Sequence, residues 1–266
     1  MATPRFVKSL EELMQQAQER AAAGPLQTES QSILIEYLSD PEAVRAVVPK
    51  PLVPNAEGRV QASFGYATMR LGPNVEIPIG TWNFAVHVTY EGQPGTYVVG
   101  MAFDDEVTVV TGREIYGEPK KLAAIEFDVK GDSATASVTR HGIPFAAFKG
   151  TLGKALPPEE FIDNAYTFKF TMNPDGSGFD HDPLMLRLVW RHKELEARDV
   201  SGELVLSESA FDPVIDLPVK QLVSARWSRR LTSSSGENVR TIPPADMFPF
   251  IGQRYDDMTA YATKKK

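Results

Sequence analysis

The stretch Gly112-Arg113-Glu114-Ile115-Tyr116-Gly117-Glu118-Pro119-Lys120-Lys121-Leu122-Ala123 sets two adjacent lysines behind a proline in an otherwise apolar part of the chain. A lysine amine with its ordinary pKa near 10.4 is almost wholly protonated at neutral pH. Burial in a dry pocket lowers that value by up to about 3–5 units, and a lysine freed in this way attacks carbonyl groups to form Schiff bases. An isolated lysine doublet is ordinarily a solvated pair. Here Gly112, Gly117 and Pro119 predict a shaped loop between two strands, where binding groups tend to sit. The following Leu122-Ala123-Ala124-Ile125 carries the chain from that loop into the core. Consecutive residues of an extended segment point to opposite sides, so the two amines need not meet the same substrate.

Outward from the motif the chain reads mainly as strands. Candidates are residues 32–37, 59–69, 81–90, 95–103, 107–111, 123–129, 134–140, 145–152, 167–172, 184–190, 193–205 and 224–231, many with period-two alternation or β-branched enrichment. Turn signals such as Glu91-Gly92-Gln93-Pro94-Gly95 and Asn173-Pro174-Asp175-Gly176 separate them. Two short helices are expected. One follows Ser9, whose spacing to Glu12 is that of a capping box, and stops by Gly24-Pro25. The other begins at Asp40-Pro41. So many strands with so few helices predict a predominantly β fold, closed on itself or layered as a sandwich. No composition shift, linker or repeat divides residues 1–266, which read as a single domain with a helical arm over 1–25 and a flexible tail over 256–266.

Composition excludes several chemistries. The chain has 266 residues and no cysteine, so thiol nucleophiles, disulfides and thiolate metal sites are absent. Its net charge of −7 argues against nucleic acid as a partner, and Lys264-Lys265-Lys266 is too short to reverse that. No apolar run approaches the roughly 20 residues of a membrane helix, and the N-terminus lacks a signal-peptide pattern; a soluble, cytoplasmic protein is expected. His87, His141, His181 and His192 have no paired ligand spacing, so no metal is expected. Ser233-Ser234-Ser235-Gly236 is a turn and not a hydrolase elbow, and no glycine spacing suits a phosphate.

The Gly-Arg-Glu-x-x-Gly-x-Pro-Lys-Lys-Leu run resembles that of the acetoacetate decarboxylase family. Similar anchors occur in the same order elsewhere: the early helix from Asp40 with Val48-Pro49-Lys50-Pro51-Leu52, then Tyr166 and Lys169 with Asn173-Pro174-Asp175-Gly176, then Asp212-Pro213 with Asp216-Leu217-Pro218-Val219-Lys220. The resemblance implies a mainly β (α+β) fold, a closed double-layered antiparallel β-cone with a few short peripheral helices around one pocket. It implies a cofactor-independent lyase in which Lys120 forms the Schiff base and Lys121 modulates it, and it implies a homo-oligomer.

The departures bear on the substrate. Family decarboxylases carry an arginine shortly before the first strand and glutamates upstream of the lysines. Here the first stretch is Glu29-Ser30-Gln31-Ser32, and one glutamate position falls on or near Ser63. The other falls on Glu76 or within residues 81–84. Trp82-Asn83-Phe84 suggests an aromatic wall, with Met101 a further lining residue. Glu118, two residues before Lys120, shares its face if the loop is extended and would then shuttle protons; otherwise it is an exposed loop acid. Arg113 either meets the substrate carboxylate or anchors the loop with Glu114, and Tyr255 either lids the pocket or packs structurally. Without the decarboxylase-type arginine, the expected chemistry leans towards aldol condensation and dehydration of a pyruvate-type keto acid with an aldehyde. Decarboxylation of acetoacetate or a related β-keto acid is the alternative, and a non-catalytic binder of apolar carboxylates a second.

Overall fold

In the computed structural model, residues 6–22, 27–72 and 75–263 are described. The expected helix stop at Gly24-Pro25 and the Lys264-Lys265-Lys266 tail lie outside them. Helix α1, Leu10–Ala22, opens on the capping box read from sequence. The Ser9 amide donates to Glu12 Oε2 at 2.6 Å and the Glu12 amide donates to Ser9 Oγ at 3.2 Å. Strand β1, Gln27–Leu38, leads to α2, Pro41–Ala46, whose N-cap Asp40 accepts from the Glu42 amide. Then follow β2, Val53–Pro54; β3, Arg59–Gly72; β4, Val75–Tyr90; β5, Gln93–Phe103; and α3, Glu106–Tyr116. The remainder is β6, Lys120–Leu122; β7, Ala124–Lys130; β8, Ser133–Arg140; β9, Ile143–Leu156; β10, Glu160–Lys169; β11, Leu184–Leu206; β12, Gln221–Thr241; and two short helices, α4, Pro244–Met247, and α5, Met258–Thr263.

All the strands belong to one sheet. Seven of them close a ring in the order β10-β5-β4-β3-β1-β12-β11, sealed by the β10–β11 pairing. The C-terminal part of β11 leaves the ring to pair with β9, which continues through β8 to β7. These strands contact β3, β4 and β5 from outside and form a second layer. The sheet is mixed and not wholly antiparallel as expected, because β5 runs parallel to both β10 and β6.

Alternation along the ring strands sorts their side chains into two clusters. The outer cluster, between the ring and the second layer, holds Ile33, Ile35, Tyr37, Phe64, Trp82 and Phe145 among others. Trp82 stacks on Phe84 and meets Phe145 edge-on at 5.1 Å. The inner cluster holds Ala67, Ile79, Val98, Met101, Phe103, Val109, Ala165 and Leu188. Because ring strands are covered on both faces, they lack the clean inside-outside polarity of a half-solvated sheet.

Three expectations are corrected in detail. Residues 107–111 form part of α3 and not a strand. Asp105 caps that helix by accepting from the Thr108 amide at 2.8 Å, and Val109 and Gly112, three apart, bury the same face. Capping and burial outweigh the strand preference of the β-branched run Val107-Thr108-Val109-Val110-Thr111. Gly117 ends the helix at φ 62°, the left-handed conformation glycine adopts without strain. The segments 184–190 and 193–205 are one bulged strand, β11, and the strand expected at 167–172 lies earlier, as β10. Among the described residues, no helix is long and apolar enough to cross a membrane.

Candidate active site

The motif that reads as a loop is a helix end, a left-handed turn and a short strand. From Gly117 the chain enters β6, where Lys120 pairs with Met101 and Lys121 with Ala102 of β5. Paired residues share a face of the sheet. Lys120 therefore follows Met101 into the ring, and Lys121 follows Ala102 to the outer side.

Inside the ring, Lys120 and Glu118 are buried at 7 % and 6 % exposure. Lys120 Nζ lies 2.7 Å from Glu118 Oε2, an ion pair set off the ideal hydrogen-bond axis. The amine also sits 4.1 Å from the centroid of the Phe103 ring. Gly112 makes the arrangement possible. A Cβ built there would stand 2.5 Å from both Glu118 Oε2 and Lys120 Cδ and 2.8 Å from Nζ. Only glycine at this helix position leaves room for the two side chains.

Arg113 anchors the same turn. Its guanidinium donates to the Lys120 carbonyl at 3.1 Å and to the Arg254 carbonyl at 2.9 Å, while Arg254 donates back to the Arg113 carbonyl at 3.0 Å. Tyr255 lies against the Arg113 guanidinium and the Phe170 ring. Burial and the neighbouring Arg113 charge push the Arg254 guanidinium below its ordinary pKa. These contacts are of the loop-anchor kind.

Lys121 has a different setting. Its amine donates to the Phe211 carbonyl at 3.0 Å and contacts Asp212 Oδ1 at 3.3 Å and Asp256 Oδ1 at 3.1 Å. Arg140 binds the second oxygen of both carboxylates, and His141 contacts Asp256 at 3.2 Å. Desolvation alone would raise the Asp256 carboxyl; the charges of Lys121 and Arg140, with hydrogen bonds from Lys121 and His141, outweigh it and hold the group below its ordinary value. A cavity of about 160 Å³ adjoins this network, lined by Trp82, Phe84, Lys121, Phe145, Phe211 and Asp212 among others. The aromatic wall expected around Lys120 therefore stands on the Lys121 side of the sheet.

The ring register shows what faces Lys120 instead. Its row runs through Met101, Asn83, Ser63 and Leu34 to Arg226, each the cross-strand partner of the last. Asn83 Nδ2 donates to Ser63 Oγ at 3.3 Å. Of the two family-glutamate alternatives, the strand residues Thr81 and Asn83 face inward, whereas Glu76 is exposed and ion-paired with Arg70 at 3.0 Å. The next rows bring in Ser32 with Ser228, and Ser30 with Arg230. Sequence reading missed Arg230. The signal was present in Arg226, Ser228 and Arg230 alternating with the outward Ala225 and Trp227. Burial pushes the Arg230 guanidinium below its ordinary pKa against the opposing pull of Asp163 and Glu194. Among the described residues, no cluster of three or more His, Asp or Glu side chains is placed to hold a metal.

Comparison with known proteins agrees with this architecture. A protein from Burkholderia vietnamiensis named acetoacetate decarboxylase is 32% identical over 201 residues, 73% of this chain and 79% of that protein. One of the same name from Bordetella avium is 31% identical over 217 residues, 77% of this chain and 84% of that protein. A solved acetoacetate decarboxylase structure superposes with a TM-score of 0.72 at 25% identity, over 82% of this chain and 90% of that one. The enduracididine biosynthesis enzyme MppR, solved with pyruvate, shares the fold at a TM-score of 0.69 and 17% identity, over 82% of this chain and 91% of that one. The acetoacetate decarboxylase family model matches residues 13–241. With the family's lysine pair carried on β6 and the first lysine inside the ring, this chain belongs to the acetoacetate decarboxylase family and is an enzyme of the lyase kind.

Proposed function

We propose that Lys120 forms an iminium with a small keto acid inside the ring, and that decarboxylation of a β-keto acid is the reaction. The observation that carries this reading is the buried Lys120–Glu118 pair, 2.7 Å apart among Met101, Phe103 and Val109. Burial disfavours separated charges, so a proton passing from Nζ to Glu118 leaves a neutral amine with its lone pair free. The amine adds to the ketone carbon, and Glu118 returns the proton to the departing hydroxyl, which leaves as water. The iminium nitrogen then accepts the electron pair of the bond to the carboxylate as carbon dioxide departs. The resulting enamine is protonated at carbon, and water hydrolyses the new iminium to ketone and free lysine.

The apolar Met101, Phe103 and Val109 beside the amine suit this sequence, because the carboxylate loses its charge as the bond breaks and water would favour the charged ground state. The curated relatives named above, acetoacetate decarboxylases by name, support the same choice. A second reading, condensation of a pyruvate-type acid with an aldehyde, is favoured by the neutral Ser63 and Asn83 in the Lys120 row. Borohydride reduction in the presence of acetoacetate is expected to give a covalent adduct on the peptide containing Lys120, with carbon dioxide released before quenching. An adduct with pyruvate and aldehyde that yields condensation product, with no carbon dioxide from any β-keto acid, selects the second reading. No adduct with any keto acid removes both.

A further inference from the structure

Three buried polar atoms without a hydrogen-bond partner face the inside of the ring from three separate strands, Ser32 Oγ, Asn83 Oδ1 and Arg230 Nε, beside Glu118 Oε2, whose one contact is the Lys120 amine. Arg230 is the unusual one. A guanidinium does not deprotonate in a protein; Arg230 is partly exposed to the lumen, and its buried Nε has no hydrogen-bond partner. The anions around it are committed elsewhere. Glu194, its cross-strand partner on β11, chelates Arg226 at 2.9 and 2.5 Å and accepts from the Glu159 amide at 3.0 Å. Asp163 contacts His192 at 3.4 Å, and Ser30 on the other side carries no charge. Arg230 forms no ion pair with either carboxylate.

We propose that Arg230 binds a second carboxylate of the substrate, so that the preferred substrate class is a β-keto dicarboxylic acid. This inference rests on Lys120 forming the iminium. Two arguments point to a carboxylate that stays and not to the one that leaves. A cation gripping the departing carboxylate would stabilise the ground state and slow its conversion to neutral carbon dioxide. Arg230 also stands on the wall of the lumen across from the reacting amine. Strand β12 is three ring strands from β5 in one direction and four in the other, and Arg230 lies four residues along β12 from Arg226 in the Lys120 row. Lys120 and Arg230 thus extend into the lumen from opposite walls, an arrangement that suits a chain with a ketone near one end and a carboxylate at the other. A guanidinium fork accepts that carboxylate in bidentate fashion.

The test compares kcat/KM for 3-oxoadipate, a β-keto diacid, with that for acetoacetate in the wild type, Arg230→Met and Arg230→Lys, with borohydride trapping at Lys120 on each. Wild type is expected to favour the diacid by about tenfold to a hundredfold, the worth of one charge-assisted hydrogen-bonded contact. Arg230→Met is expected to lose that preference through KM, and Arg230→Lys to keep part of it. A wild-type ratio of one or below, or a ratio unchanged in Arg230→Met, overturns the inference while leaving the iminium chemistry in place. Absence of a Lys120 adduct in the wild type with either acid and with pyruvate removes the proposed function itself, and this inference with it.

Discussion

Lys120 and Lys121 are neighbours in sequence and occupy opposite sides of one strand. The first sits inside the ring with one carboxylate and one aromatic face. The second sits outside it with two carboxylates, a backbone carbonyl and an arginine that shares both acids. Alternation along an extended chain sends adjacent residues to opposite faces, and the sheet between them separates their amines. Activation of Lys120 by repulsion from Lys121 therefore has little basis here. Lys121 is neutralised where it stands, so the environment inside the ring must account for whatever reactivity Lys120 has.

The largest expected effect separates the two residues directly. Lys120→Ala is expected to abolish the borohydride adduct and lower turnover on the order of 10⁴-fold or more, since no other amine replaces the nucleophile. Lys121→Met is expected to leave the adduct at Lys120 and to cost stability, about 3 kcal/mol for one partner lost from a buried ion network. That is roughly 6–12 °C in Tm for a chain of this size. Thermal unfolding and adduct mass spectrometry on both variants check the pair; loss of the adduct in Lys121→Met with an unchanged Tm would reverse the assignment.

Two smaller effects sharpen the inner side. Glu118→Gln keeps shape and removes the proposed proton acceptor, and is expected to lower kcat by about 10²–10⁴-fold. Gly112→Ala brings a methyl to 2.5 Å from Glu118 Oε2 and Lys120 Cδ. Both neighbours belong to extended side chains that are able to swing away, so the fold survives while the reacting pair is displaced. A loss in kcat of about 10²-fold follows from a displacement near 1 Å. Circular dichroism spectra matching wild type, beside that loss, distinguish displacement from unfolding.

The same contrast explains what could be read from the chain. Period-two alternation located most strands, and the Ser9–Glu12 spacing located α1 with its reciprocal hydrogen bonds. The spacing of Glu118 and Lys120 allows either a shared face or an exposed loop acid; the two side chains meet at 2.7 Å, although the chain there leaves a helix and does not form an extended loop. The side to which a strand residue points was not legible where both sides are buried. Trp82 and Phe84 read as pocket wall because they are aromatic, and they do line a cavity, but on the Lys121 side of the sheet, while the smaller Thr81 and Asn83 are on the Lys120 side. Arg226, Ser228 and Arg230 read as the ordinary polar face of a half-exposed strand. Only closure of the ring turns that face inward.

The smallest effect concerns the outer network and pH. Asp256 is held below its ordinary value of 3.8 by Lys121 and Arg140 against the cost of burial. Because its folded value is the lower one, its ionisation favours the folded state. That contribution is complete above the ordinary carboxylate range and is lost as pH falls through the folded value. Wild type is therefore expected to lose stability progressively below about pH 4, when the network gives up its acid partner. Asp256→Asn is expected to be less stable at neutral pH and to show a shallower acid dependence over the same interval, with the Lys120 adduct still formed. Urea unfolding of both proteins between pH 3 and pH 7 measures the difference. Parallel curves would show that Asp256 is not the group through which acid acts, and a simultaneous loss of the Lys120 adduct would show that the two sides of β6 are coupled after all.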